Sequence, residues 1–168
     1  MLHFLPDGTP LVIRPIRAAD KDRIATGLSR LSAETIRRRF LAAKPRLTAS
    51  ELAYLTEIDG YSHIGLVAID PADPAGVVAV ARCVRLPDDR RTAEWAIVIA
   101  DHLQGRGLGK LLISELAARA RRAGVERFSA VMLEENVAAR RLLDHVSAGL
   151  ERDEHRGGVR EIVVGLAA

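Results

Sequence analysis

The sequence is poor in cysteine and aromatic residues, and it contains no long apolar run. Cys83 is the only cysteine, so the chain forms no internal disulfide and has no Cys-x-x-Cys metal motif. Phenylalanine, tryptophan and tyrosine together make up 4% of the residues. Because no stretch of about 18 apolar residues occurs, we expect no membrane-spanning helix. The lone thiol is expected to be packed on a strand.

Motifs for several other functions are also missing. The five histidines show no metal-ligand spacing, and no Gly-x-Ser-x-Gly motif supports a serine nucleophile. The net charge of +3 is spread evenly along the chain, without a basic tail or block that would bind nucleic acid. The opening MLHFLPDG has no basic leader. These patterns predict a cytoplasmic protein that uses no metal, nucleic acid or membrane.

What the chain does contain is enough apolar sequence for one domain, residues 1–168, with 48% apolar and 28% charged residues. Apolar periodicity and turn signals predict an α+β succession of strands and helices. The predicted strands are 11–16, 62–70, 77–86, 92–100 and 127–133. The predicted helices begin near Ala18, Ser32, Thr48, Leu108 and Asn136, and a final hairpin turns at Gly157 and Gly158.

The most informative stretch is QGRGLGK, from Gln104 to Lys110. A Walker loop would need glycine at Gln104 and Ser or Thr at Leu111, and the dinucleotide fingerprint would need glycine at Lys110. The stretch instead matches Gln-x-x-Gly-x-Gly between an apolar strand and an amphipathic helix. Bare glycine backbone and the N–H groups of a helix's first turn favour a bound phosphate there.

In this setting the motif resembles the signature of the GNAT superfamily of acetyl-CoA-dependent N-acyltransferases. The resemblance implies a mixed, mostly antiparallel sheet of about seven strands with four or five helices. It implies that the strand before the loop bulges and splays from the next strand, so that its amides pair with pantetheine and polarise the thioester. Loop amides would hold the pyrophosphate, and an asparagine would lie near the pantetheine. By position, the residues expected to bind acetyl-CoA are Ile97, Val98, Ile99, Gln104, Gly105, Arg106, Gly107, Leu108, Gly109, Lys110 and Asn136.

The first 70 residues resemble a narrower group. DGTPLVIRPIRAAD, LSAETIRRRF and LTEIDGYSHIGLVAI look like the GNAT domain of bacterial Pat-type protein lysine acetyltransferases, which modify acyl-CoA synthetases. This resemblance favours a protein lysine as acceptor, with an acyl-CoA synthetase as an expected partner. A small-molecule amine stays open, as do a non-catalytic acyl-CoA-binding regulatory module and a homodimer.

Glu94 is the expected general base. Deprotonating a lysine of pKa 10.4 at pH 7 costs about 4.6 kcal/mol, so a base is useful. Alternation in TAEWAIVIA places Glu94, Ala96 and Val98 on one strand face. By itself an isolated strand carboxylate is more typical of a solvated residue, but the resemblance implies the catalytic base at this position. Partial burial beside apolar neighbours would make Glu94 a better proton acceptor. The rival acids are Asp101, Glu134 and Glu135.

Other positions leave their roles open. Leu143 stands where many family members carry a tyrosine that protonates the departing thiolate, so water, His145 or Ser147 would have to act instead. Arg106 and Lys110 either add charge to the site or point to water. The run from Arg37 to Arg39 is interpreted first as a solvated helix face, with recruitment of an acidic ligand as the alternative.

Overall fold

The chain forms eight strands and five α-helices in this computed structural model, which describes residues 1–44 and 46–167. The strands are β1 (Leu2–Phe4), β2 (Pro10–Pro15), β3 (His63–Ile69), β4 (Ala79–Arg85), β5 (Thr92–Ile99), β6 (Arg127–Leu133), β7 (Ser147–Arg156) and β8 (Val159–Leu166). The α-helices are α1 (Lys21–Ser29), α2 (Ala33–Phe40), α3 (Ala49–Thr56), α4 (Leu108–Arg122) and α5 (Val137–Val146).

The strands form one mixed sheet in the order β1-β2-β3-β4-β5-β6-β8-β7. Neighbours pair antiparallel except β5 and β6, which pair in parallel. This parallel pair joins only Thr92 to Arg127, Ala93 to Phe128 and Glu94 to Ser129, although both strands continue beyond it. The expected splay of the central strands is therefore confirmed.

Most predicted elements are confirmed within a few residues. Ser32 caps α2 by accepting a hydrogen bond from Thr35 N–H, and Thr48 and Glu51 form a capping box at α3. The sequence patterns did not place β1, a three-residue edge strand. No helix within the described residues is long and apolar enough to cross a bilayer.

Helices cover both faces of the sheet. On one face, Leu108, Leu112 and Leu116 of α4 are fully buried with Phe128 of β6, in a core that also contains α5. Cys83 lies in this core as a packed thiol, and burial raises its pKa to about 12. On the other face, α1, α2 and α3 cover the strands. The glycine-rich loop and α4 are thereby fixed at one end of the sheet.

A buried ion pair fixes the start of α1 against β2. Asp20 is 1% exposed and accepts hydrogen bonds from the Arg14 guanidinium at 2.6 and 2.7 Å and from Arg17 N–H at 2.9 Å. These bonds, led by those of Arg14, outweigh the effect of burial and lower the pKa of Asp20 below its ordinary 3.8. The ionised carboxylate therefore stabilises the fold.

Replacing Asp20 by Asn should lower the free energy of unfolding by about 3 kcal/mol near pH 7, because Arg14 loses its counter-ion. The pKa of Asp20 is lower in the folded state, so its ionised carboxylate stabilises the fold fully above the unfolded-state pKa of 3.8. This stabilisation is lost as the pH falls through the folded-state pKa. Urea unfolding across this pH range measures the effect, and the difference from wild type should shrink under acid. Asp22→Asn, an exposed change on the same helix, is the control; an equal loss there near pH 7 would contradict the role of Asp20.

Candidate active site

The site begins where β5 separates from β6. Ala100 N–H donates to Val78 C=O at 2.8 Å, and β4 and β5 stay paired from Ala79–Ile99 to Arg85–Ala93. Because the direction of backbone hydrogen bonding alternates along an antiparallel strand, the backbone N–H of Val98 is directed to β4. The backbone N–H groups of Ile97 and Ile99 are directed to the gap.

This geometry corrects the sequence expectation in two respects. The register between β4 and β5 is unbroken, so the expected bulge in β5 is absent from this described pair and the splay alone uncovers the edge. Of the three backbone amides expected to meet a ligand, only those of Ile97 and Ile99 are on the open side. Val98 still lines the groove, although its backbone N–H is directed to β4.

The glycine-rich loop presents a row of backbone donors. Gly105 and Gly107 have φ of +74° and +93°, in the left-handed region that favours glycine. Within the described chain, no N–H group from Gly105 to Lys110 donates to a protein acceptor. Gly107 precedes the first residue of α4, so these donors lie at the positive end of the helix dipole. The arrangement suits a phosphate group.

Two polar side chains hold this loop in place. Gln104 Nε2 donates to Ile99 C=O and to Thr35 Oγ1, each at 3.0 Å. Arg106 donates to Asp7 Oδ2 and to Thr9 Oγ1, each at 2.6 Å. The Arg106 hydrogen bond is the main cause of the lowered pKa of Asp7. Arg106 therefore ties the loop to the β1–β2 turn rather than pointing to water.

A groove of about 800 Å³ runs from the loop along the open edge of β5. Its lining includes every residue expected to bind acetyl-CoA except Leu108, whose side chain is buried in the core. The charged residues that line it are mostly cations, namely Arg38, Arg39, Arg106, Lys110 and Arg141, with one acid, Asp7. The groove therefore suits a ligand that carries several negative charges.

Several of these lining residues were not predicted. Arg141 and Leu142 of α5 line the groove because they follow Ala138 and Ala139 on one helix face, and the cap signal at Asn136 was the only sequence hint of it. For Arg38 and Arg39 the sequence favours a solvated helix face, yet both line the groove. Their orientation depends on how α2 docks on the sheet, which a run of arginines does not specify.

Glu94 lines a second, smaller pocket of about 250 Å³ next to the groove. The two share Arg38, Arg39, Ile97, Asn136 and Ala139 in their linings. Glu94 is the only acid in the described lining of the smaller pocket. Its side chain is exposed and not partly buried.

The rival acids are engaged elsewhere. Asp101 accepts hydrogen bonds from Ser32 and Thr35. Burial opposes its ionisation, but these bonds prevail and lower its pKa. Glu134 contacts His155, and Glu135 pairs with Arg37, so both carboxylates are held outside the pocket. Among these four acids, only Glu94 has no hydrogen bond or ion pair within the described chain.

Asn136 lines both the groove and the smaller pocket. Its Oδ1 accepts a hydrogen bond from Ala139 N–H at 3.2 Å at the start of α5. The cap leaves the side-chain amide donors available to a ligand. Both expected features of Asn136, capping and position beside the groove, thus occur together.

Leu143, which stands where many family members carry a tyrosine, is packed in the core. Leu143 is fully buried, and its neighbour Leu142 faces the groove. His145 and Ser147 line neither the groove nor the smaller pocket, which makes them poor substitutes as a proton donor. The described lining of both contains no tyrosine, cysteine or histidine.

A splayed parallel pair, a glycine-capped helix and an acid beside the gap are the features expected of the acyltransferase fold. Residues 32–146 match the model of the "Acetyltransferase (GNAT) family". The chain belongs to this acetyltransferase family. Its eight-stranded mixed sheet and five helices form the GNAT fold, close to the expected count.

The chain is also similar to individual GNAT proteins. The chain is 35% identical over 142 residues to acetyltransferase Pat of Mycolicibacterium smegmatis, covering 84% of this chain and 42% of that protein. The GNAT domain of S. lividans PAT has a TM-score of 0.87 at 28% identity, with 99% and 96% of the two chains covered. A phosphinothricin acetyltransferase from Sinorhizobium meliloti, in complex with acetyl-CoA, has a TM-score of 0.71 over 93% and 88% of the chains. At 20% identity it shows the fold alone.

Gly105 and Gly124 form a matched pair for testing whether the glycine-rich loop binds acetyl-CoA. Both have positive φ, +74° and +89°, and a Cβ at either would meet nothing within 4 Å. Alanine at either position should cost roughly 1 kcal/mol of stability. Only Gly105→Ala should weaken acetyl-CoA binding, by roughly tenfold, because its methyl group lies beside the loop donors. Calorimetric titration and thermal unfolding measure both quantities, and equal affinities in the two variants would refute the loop's role.

Proposed function

We propose that this chain binds acetyl-CoA in the groove and transfers the acetyl group directly to a primary amine, with Glu94 as general base and a protein lysine as acceptor. The observation that carries the proposal is the position of Glu94. It is the one acid in the described lining of the pocket that adjoins the groove, beside the open edge of β5.

The groove matches the chemistry of coenzyme A. The donors from Gly105 to Lys110 would hold the pyrophosphate, supported by the positive end of α4. The N–H groups of Ile97 and Ile99 would pair with the amides of pantetheine along the open strand edge. The family's activity and a neighbour of the same fold in complex with acetyl-CoA support this choice of co-substrate.

The reaction follows from these positions. Glu94 accepts a proton from the acceptor ammonium, directly or through a water, and the neutral amine attacks the thioester carbonyl carbon. A β5 N–H stabilises the negative charge that develops on the carbonyl oxygen, an effect worth about 3 kcal/mol. The carbon–sulfur bond then breaks and the thiolate leaves. The nitrogen, which became positively charged on attack, releases its extra proton to water, the thiolate takes a proton from water in turn, and the neutral amide and the thiol remain.

The resemblance of the first 70 residues to Pat-type protein lysine acetyltransferases favours a protein lysine as acceptor. The similarity to Pat spans 84% of this chain, and the GNAT domain of S. lividans PAT superposes on 99% of it. This chain spans less than half of the length of the M. smegmatis protein, and we propose a protein lysine as the acceptor for this chain. By the same resemblance, an acyl-CoA synthetase is the proposed protein partner.

Glu94→Gln should lower turnover roughly 100- to 10,000-fold, because the variant cannot accept a proton. Acetyl-CoA affinity should stay within about twofold, since Glu94 does not line the groove. Steady-state kinetics and calorimetric titration separate the two effects. Glu135→Gln is the matched control and should keep its activity; unchanged turnover in Glu94→Gln would remove Glu94 as the base.

The acceptor can be identified by transfer of labelled acetyl from acetyl-CoA into a cell lysate. The lysate is then separated into protein and small-molecule fractions, with the Glu94→Gln protein run in parallel. Label on protein lysines that disappears in the variant is the expected result. Label only among small amines would instead identify a metabolic acceptor. Absence of label in both fractions, with acetyl-CoA binding intact, would indicate a non-catalytic acyl-CoA-binding module.

A further inference from the structure

Two half-buried arginines, Arg39 on α2 and Arg82 on β4, make no ion pair or hydrogen bond within the described residues. Other buried or half-buried arginines have such partners. Arg14 pairs with Asp20, Arg160 pairs with Asp153, and Arg85 donates to three backbone carbonyls. Partial burial of a guanidinium without a counter-ion is unfavourable. Within the described residues, no nitrogen of Arg39 or Arg82 is both fully buried and unpartnered, so an anionic ligand can reach both groups and would stabilise them.

Both arginines lie on the sheet face that carries Glu94. Arg82 is opposite Ala96 in the β4–β5 register, and Glu94 is two residues before Ala96 on the same face. Arg39 and Arg82 line a common cavity between the sheet and α1–α3, and Arg39 also lines the pocket of Glu94. Burial and then the charge of Arg82 lower the pKa of Arg39 to about 10, with Glu94 acting in the opposite direction. The three charges are therefore close enough to interact.

Aromatic rings support both guanidinium groups. Arg39 Cζ is 4.9 Å from the centre of the Phe40 ring, and Arg82 Cζ is 5.0 Å from the centre of the Tyr54 ring. Stacking contacts the flat face of a guanidinium and leaves the N–H groups at its edge available. Those edges can donate paired hydrogen bonds to a carboxylate.

The charge balance beside Glu94 points to the same ligand. The charged residues that line its pocket are Arg38 and Arg39 against Glu94 alone, and Arg82 adds a further cation nearby. An acceptor that carries only an ammonium would be repelled from this pocket, whereas one that also carries an anion would be attracted.

We propose that the acceptor carries a carboxylate close to its reacting amine, and that Arg39 and Arg82 bind this carboxylate. This inference rests on the proposed function, since it describes the acceptor of the same reaction. The carboxylate has two sources: an acidic residue beside the target lysine in a protein, or the carboxyl group of a free amino acid. Arg39 and Arg82 are thus specificity-determining residues.

The test compares acceptors that differ only in charge. One arm uses blocked pentapeptides with a central lysine flanked by two glutamates or by two glutamines. The other arm uses free amino acids and their carboxamides. Wild-type protein should prefer the acidic member in one arm, with kcat/KM roughly 10- to 100-fold higher, the range of a charge-assisted hydrogen bond. Preference among the peptides identifies a protein site, and preference among the amino acids identifies a metabolic acceptor.

Arg82→Gln should abolish this preference by raising the KM of the acidic acceptor. For the member without a carboxylate, kcat/KM should stay level or rise, because a cation that repels its ammonium is removed, and the KM of acetyl-CoA should change little. Arg39→Gln should affect the acidic acceptor in the same direction. Arg37→Gln is the matched control, because Arg37 pairs with Glu135 and lines neither the groove nor the pocket.

Three outcomes would overturn the inference. The first is equal kcat/KM of the wild type for acceptors with and without a carboxylate, and the second is an equal loss of kcat/KM for both in Arg82→Gln. Either result would refute the carboxylate site without refuting acetyl transfer. Loss of folding in the variants would show in circular dichroism, and the wild-type preference then decides alone. Absence of transfer to any acceptor, with acetyl-CoA bound, would instead refute the proposed function and this inference with it.

Discussion

The separation of β5 from β6 is the feature on which the rest of the site depends. The pair is joined only as far as Glu94 and Ser129, yet each strand keeps its outer partner: β5 stays on β4 to Ile99, and β6 stays on β8 to Leu133. Both strands are therefore held from outside while their inner edges part. A backbone group left unpaired away from water costs about 1–3 kcal/mol, so a gap of this kind is stable when water or a ligand meets those edges.

Packing at one glycine brings the loop and the gap together. A Cβ at Gly109 would lie 3.1 Å from Leu142 Cδ2 and 3.2 Å from Ile99 Cδ1. A Cβ here would require the Leu142 and Ile99 side chains to shift by a few tenths of an ångström, so glycine allows α4 to pack closely against both α5 and the end of β5. The first turn of α4 is then held at the mouth of the gap, and the side chain of Gln104 joins Ile99 to Thr35. The glycine-rich loop, the open edge of β5 and α2 thus form one connected unit.

Local sequence was sufficient to predict the glycine-rich turn, the start of α4 and the cap at Asn136, because each depends on spacing within one element. The expectation of a base at Glu94 came instead from the family resemblance. The charged groups around them depend on contacts between distant segments, such as Arg106 with Asp7, and no local pattern reports those. Successive helix residues point about 100° apart, so Arg37 and Arg39 face different neighbours. Which of them faces the sheet is decided by the docking of α2, which becomes visible only in the fold.

In the proposed reaction, the division of charge between the groove and the smaller pocket would allow acetyl transfer without a tyrosine. A thiol has a pKa near 8.5, so a departing thiolate is only weakly basic and is stabilised by a lining rich in arginine and lysine. An amine near pKa 10.4 instead has to lose a proton before it can attack. The demanding proton transfer is therefore on the acceptor side, where Glu94 is the one acid in the described lining. The same cations that suit a phosphate-rich cofactor would repel a bare ammonium, so an acceptor bearing its own carboxylate reconciles the two halves of the site.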